Sequence, residues 1–131
     1  MKIVRYAGRP GRPYVPMVKA APFVFTAGYT GFRPDGTVPD SIDEQVQIIF
    51  DRARVNLEKA GSSFDRIVSA TVYFTDQARD RARFDELFGA AFKDHPPARC
   101  CVAVAALSDP AKRVEVQFIA ALKDEEEQDQ N

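Results

Sequence analysis

The chain has 131 residues, 45% of them hydrophobic and 28% charged, with a formal net charge of −1. That is the size and composition of one globular domain able to bury its own core, and no apolar run approaches the length of a membrane span. A charge near zero gives no general reason to bind nucleic acid or an acidic membrane, and the N-terminus, basic at Lys2, Arg5, Arg9 and Arg12, lacks the apolar stretch of a secretory signal.

Residues 2–6 read as a short strand at a sheet edge, followed by a turn-rich connection of Gly and Pro at 7–13. Tyr14, Val15, Met17 and Val18 lead into Phe23-Val24-Phe25-Thr26-Ala27-Gly28, a β-branched and aromatic strand closed by Gly28 and Gly31. Residues 33–37 form a turn. The local glycines lack both the Walker lysine and the GxGxxG order, so they read as turn glycines and not as a phosphate cradle.

Ser41 with Glu44 three residues on makes a capping box, and Ile42, Val46, Ile49, Phe50, Ala53, Leu57 and Ala60 recur at helical spacing. Gly61 suits the position just past that helix. After a loop at 62–65, residues 66–75 alternate as a strand. Val68, Ala70, Val72 and Phe74 are expected against the helices, and Ser69, Thr71, Tyr73 and Thr75 on the other face. Asp76 caps a second helix over 77–93 with Phe84, Leu87, Phe88, Ala91 and Phe92 as its buried stripe; its polar face, Arg79 to Glu86, reads as solvated.

His95-Pro96-Pro97-Ala98-Arg99-Cys100-Cys101 then brings a rigid entry and an arginine to the mouth of a strand. Residues 105–112 connect it to Val114-Glu115-Val116-Gln117-Phe118, in which Glu115 and Gln117 share a face. If the two strands pair as a hairpin, Arg99 and Glu115 lie close together, a pairing suited to anchoring a small carboxylate and positioning a water. Cys100 and Cys101 point to opposite faces of a strand, so they do not bridge each other, and with one histidine in the chain they make no metal site. The cysteine usage reads as that of a reducing, cytoplasmic protein. Residues 123–131 are acidic and polar and read as a disordered tail after a single domain over 1–122.

The element order β-β-α-β-α-β-β predicts an α+β domain, with two helices on one face of a largely antiparallel sheet. The other face, with Ser69, Thr71 and Tyr73 beside Cys101, Ala103 and Ala105, is flat and only moderately polar, which points to a subunit interface.

The HPPARCCVAVAAL and RVEVQFIA segments resemble the C-terminal signature of the Rid/YjgF family of imine/enamine deaminases; FVFTAG and VNLEKAGSSFDRIVSATVYFTD match further family segments in order, so that the resemblance covers roughly residues 14–122. It implies a chorismate-mutase-like fold, a mixed sheet with two helices on one side, assembled as a homotrimer with sites between subunits. It implies hydrolysis of 2-imino acids such as 2-iminopropanoate to 2-keto acids and ammonia, with no cofactor and no metal. Position by position, Arg99 matches the arginine that grips the substrate carboxylate and Glu115 the acid proposed to hold the attacking water. Tyr14 matches a cleft tyrosine, Gly28 the glycine ending the early strand, and Cys101 a position whose backbone lines the pocket. The chain departs from the family pattern at Ala27 and Cys100, where serine is frequent, and at Asp85, where asparagine is common.

Other functions remain open beside that one. They are a Rid-like enzyme adapted to another deamination or hydrolysis, a ribonuclease, and a non-catalytic trimer that binds small carboxylates. Near-zero charge and the acidic tail argue against the ribonuclease, and Arg99 argues against a purely structural trimer.

Overall fold

The computed structural model describes residues 1–124; the segment read as a tail lies outside the described residues from position 125 onward. Six strands form one sheet: β1 (Ile3–Tyr6), β2 (Met17–Ala20), β3 (Phe23–Thr30), β4 (Ile67–Phe74), β5 (Ala98–Ala103) and β6 (Val114–Ala121). Two helices, α1 (Ile42–Lys59) and α2 (Gln77–Ala91), cover one face, and a 3-10 turn at Phe64–Arg66 precedes β4. The strand order is β1-β2-β3-β6-β4-β5. Every pairing is antiparallel except β4 with β5, so the α+β sheet is mixed.

Two expectations are corrected. Three strands precede α1 where two were expected, because Met17–Ala20 forms its own strand and turns into β3 through Ala21 and a cis-Pro22. And β5 and β6 do not form a hairpin: β6 inserts between β3 and β4, and β5 pairs with the far side of β4.

Local chemistry accounts for the helix ends. Ser41 Oγ accepts from the Glu44 N–H at 3.3 Å, while the Glu44 carboxylate accepts from Arg33 Nη2 at 3.2 Å. At the other end the Gly61 N–H donates to Glu58 O and the Ser62 N–H to Leu57 O, with Gly61 at φ +84, the paired bonds of a Schellman end. Asp76 caps α2 as the sequence predicts, accepting from the Arg79 N–H at 3.1 Å.

Irregularities in the ladders decide which side chains face the helices. A shift between Ile67 and Ser69 turns Ile67 inward and leaves Val68 44% exposed, against the expected alternation. A second shift lies between Phe25 and Gly28 in β3. There the buried Thr26 hydroxyl accepts the Phe118 N–H at 2.9 Å, and the Ala27 N–H turns away to Pro16 O at 2.9 Å. The chain passes Gly31 so close to α1 that a Cβ there would stand 2.4 Å from the Gln45 Cα. Tyr29, buried on the helix side, donates its hydroxyl to Pro16 O at 3.0 Å and accepts from Asn56 Nδ2 at 2.9 Å.

The core between sheet and helices is rich in phenylalanine: Phe50, Phe84, Phe88 and Phe92 pack ring to ring, and Phe74 of β4 meets Phe84 edge-on at 5.2 Å. Among the described residues three polar ones are 0% exposed, Gln45, Ser62 and Asp80, and the first and last of them tie the helices to the segment before β6. Gln45 donates to Pro39 O (2.8 Å) and Ala111 O (3.0 Å) and accepts the Arg113 N–H (2.9 Å). Asp80, which the sequence reading left on a solvated face, accepts from Arg79 and from both Nε and Nη2 of Arg113, and Arg113 Nη1 donates to Asp40 O at 2.7 Å. Burial pushes the Asp80 carboxyl up, but the hydrogen bonds and charges of Arg79 and Arg113 outweigh it and hold the group below its ordinary value.

Asp80→Asn leaves Arg113 half-buried without its counter-charge and should destabilise the fold by about 3 kcal/mol. A carboxyl depressed on folding contributes stability above its unfolded pKa and loses it as pH falls through the folded value. The gap between wild type and variant, measured by urea unfolding, should therefore be full at pH 7 and shrink below about pH 4. A gap that does not change with pH would show that Asp80 acts through shape and not charge.

Candidate functional site

Arg99 and Glu115 stand on opposite faces of the sheet. Arg99 pairs with Ala70 of β4, and Glu115 with Tyr73 of the same strand and Thr30 of β3. Three residues of strand at about 3.3 Å and two strand spacings of about 4.8 Å put their α-carbons about 14 Å apart. The hairpin juxtaposition expected from sequence therefore does not occur within one chain.

Arg99 lies on the helix side. Its guanidinium sits over the Phe88 ring, 4.8 Å from the centroid, and 5.9 Å from that of Phe84. Nη2 meets Asp85 Oδ1 of α2 at 2.8 Å, and Asp85 Oδ2 lies 3.6 Å from Arg81 Nε. Cys101, two residues on, shares this face, since its partner Val72 is buried against the helices; that corrects its assignment to the flat outer face. Burial raises the Cys101 thiol pKa, while Arg99 and Arg81 pull it down, so the shift is away from a reactive thiolate. Asp85, expected from sequence on a solvated face and marked only as a departure from the family's asparagine, is a member of this site. Its signal was the spacing, since it adjoins Phe84 on the stripe that floors Arg99.

Glu115 lies on the open face with Gly28. A Cβ on Gly28 would stand 2.4 Å from Glu115 Oε2 and 2.7 Å from its Cδ, so the carboxylate arm lies directly across the glycine. Gly28 does not end its strand as expected; β3 runs on to Thr30, and the ladder shift before Gly28 sets it opposite Gln117. Burial raises the Glu115 carboxyl above its ordinary value, with the Lys112 ammonium pulling it back. Lys112, itself pushed down by burial, donates to Ser108 Oγ at 2.9 Å and stands 5.2 Å from the Phe32 ring. Arg52 (4.1 Å) and Arg9 (4.9 Å) approach the same ring.

Tyr14 stands apart from both groups, 60% exposed in the β1–β2 connection. The open face also exposes Phe23 and Phe25 of β3 and Val102 of β5, the last beside Tyr73. Among the described residues, no three or more His, Cys, Asp or Glu side chains gather as metal ligands would, and no helix is long and apolar enough to cross a membrane.

A family model described as "Endoribonuclease L-PSP" matches residues 6–122. TdcF of Escherichia coli, named as a candidate reactive intermediate deaminase, is 32% identical in an alignment of length 125 that covers 91% of this chain and 95% of TdcF. "Protein MMF1, mitochondrial" of Saccharomyces cerevisiae is 35% identical over 95 residues, 72% of this chain and 65% of that protein. The crystal structure of yeast Mmf1 superimposes with a TM-score of 0.85 at 29% identity, covering 93% of this chain and 100% of that one. A YjgF-family member from Neisseria meningitidis gives 0.83 at 25% identity, covering 95% and 98%.

Gly28→Ala should displace the Glu115 arm while costing less than about 1 kcal/mol of stability, because the clashing atoms are the far end of a flexible side chain. Thermal unfolding should change little, while any activity that uses the Glu115 carboxylate should drop more than about tenfold. Equal loss of both would mean that the glycine is needed for the fold and not for the carboxylate's position.

Proposed function

We propose, for a chain that belongs to the Endoribonuclease L-PSP family, the YjgF/Rid family, that it hydrolyses protonated 2-imino acids to 2-keto acids and ammonium. The observation that carries this is Arg99, a guanidinium held at a strand mouth on an aromatic floor, with one ion-pair contact to Asp85 and donors to spare. A planar fork of that kind suits a carboxylate, and lysine would replace it poorly. The relative TdcF, named for reactive intermediate deamination, supports the same chemistry.

In the proposed reaction Arg99 anchors the carboxylate of a substrate such as 2-iminopropanoate and fixes its imine carbon in place. Glu115, ionised, takes a proton from water as the water oxygen adds to that carbon and the C=N π pair moves to nitrogen. The carbinolamine then collapses: the nitrogen leaves as ammonia with its bonding pair and the proton held by Glu115, and the hydroxyl proton, freed as the carbonyl forms, passes to Glu115 and on to the ammonia to give ammonium. Water and iminium carboxylate in, keto acid and ammonium out, balance in atoms and charge. A carboxyl raised by burial holds a proton more readily than an ordinary glutamate, which suits a base that must also return it.

Because Arg99 and Glu115 of one chain lie on opposite faces, the working site joins Arg99 of one copy to Glu115 of another in a homotrimer. The exposed Phe23, Phe25 and Val102 on the open face favour burial against further copies. Tyr14 and Gly28 line the cleft in this arrangement, with the Cys101 backbone beside Arg99.

Ammonia release from freshly generated 2-iminopropanoate should fall about a hundredfold in Arg99→Ala, the scale of losing two charge-assisted hydrogen bonds. Glu115→Gln should fall at least as far and lose the acid limb of the pH profile, which in the wild type lies above the ordinary glutamate range. Co-expressing the two inactive variants should restore about a quarter of the wild-type rate by random assembly into shared sites. No restoration would place both groups' work within single chains and sink the shared site.

A second reading, ribonuclease action, is favoured by the family model's description and by Arg9, Arg52 and Lys112 around Phe32, a basic and aromatic patch. Salt-sensitive cleavage of single-stranded RNA that Lys112→Ala abolishes and Arg99→Ala spares would establish it.

A further inference from the structure

The guanidinium proposed as the anchor already has an anionic partner. Asp85 Oδ1 holds Arg99 Nη2 at 2.8 Å, and its other oxygen lies 3.6 Å from Arg81 Nε. Asp85 therefore stands between two cations, and the cluster of Arg81, Asp85 and Arg99 carries a net charge of one instead of two. Its side chain is 43% exposed against 21% for Arg99, so the carboxylate is the more open of the two and adjoins any ligand that reaches the guanidinium. Aromatic rings of Phe84 and Phe88 fill the floor beneath Arg99. Ligand and Asp85 are thus confined to the same open side of one guanidinium.

Two ligand classes respond to that arrangement in opposite ways. A 2-keto acid carries a single negative charge; Arg99 attracts it and Asp85 repels it. A protonated 2-imino acid is a zwitterion, with an iminium one bond from the carbon that bears the carboxylate. Its carboxylate meets Arg99 while its iminium lies within reach of Asp85, so both fixed charges are satisfied at once.

Resting on the deaminase reading of this site, we infer that Asp85 is its charge filter, selecting zwitterionic imino acids over monoanionic keto acids. The residue binds the cationic end of the substrate and loses that partner when ammonium departs. The keto acid left behind faces an unbalanced carboxylate and is driven out. The same repulsion keeps other small monoanionic carboxylates from occupying Arg99.

The test uses two stable probes of one carbon skeleton, pyruvate for the monoanion and alanine for the zwitterion, titrated by calorimetry into wild type, Asp85→Asn and Arg99→Ala. Asparagine keeps the shape of Asp85 and removes its charge. In Asp85→Asn the preference for pyruvate over alanine should rise about tenfold, the scale of one unit charge at about 6 Å near a protein surface. Arg99→Ala should lose both probes. A ratio that stays put or moves toward alanine overturns the filter, and absence of saturable pyruvate binding in every protein overturns it together with the anchor role of Arg99. A tenfold shift in a protein that does not turn over 2-iminopropanoate would keep the filter and remove the deaminase reading.

Discussion

The buried carboxylate of Asp80 holds both halves of the site in place. On its own helix it leads, at intervals of four, to Phe84 and Phe88, the floor on which Arg99 rests. It also grips Arg113, the residue just before β6 and two positions before Glu115. One ion pair thus ties the helix under the arginine to the strand that carries the acid. Burying such a charge is unfavourable unless each of its lone pairs is met. Here Arg79 and Arg113 meet them, and Gln45 secures the Arg113 backbone from the other side.

That geometry gives the sheet its division of labour. The helix-side face is closed by phenylalanine and carries Arg99 with its acidic partner at the outer strand. The opposite face is open, carries Glu115 over Gly28, and exposes aromatic side chains at the β3 end. The proposed chemistry needs both faces, which is why the reading of function and the reading of assembly cannot be separated.

Much of this was legible in the residues. Both helices, their caps and the glycine after α1 follow from short-range chemistry, and the alternation of Ala70, Val72 and Phe74 survives in β4. What escaped depended on partners far along the chain. The strand at Met17–Ala20 is four residues long and turns through Ala-Pro, which carries none of the Asn-Gly signal of a tight hairpin. The neighbours of β6 are chosen by burial across the whole sheet, and a turn-rich connection after β5 looks the same whether or not its strands pair. Val68 was misassigned because a ladder shift leaves no mark in an alternating sequence. Asp80 could have been found, since it sits four residues before Phe84 on the apolar stripe; its polarity hid it. The resemblance to the Rid/YjgF pattern reached the family and the identity of Arg99 and Glu115 as candidates, yet their separation across the sheet needed the fold.

Tyr29 gives the molecule an internal reporter. The chain has no tryptophan and four tyrosines, so its ultraviolet emission comes from phenol rings. The Tyr29 ring is shielded from water, with its hydroxyl fixed between the Pro16 carbonyl and Asn56. Burial raises its pKa, with the Asn56 hydrogen bond and the Arg52 charge opposing. The ring spans the joint of the N-terminal strands with α1, so its light should report the parting of those elements rather than events at the β5 edge. The Tyr29 share of the native emission thus belongs to one seam of the fold, and a chain in which Tyr6, Tyr14 and Tyr73 are phenylalanine would show it alone.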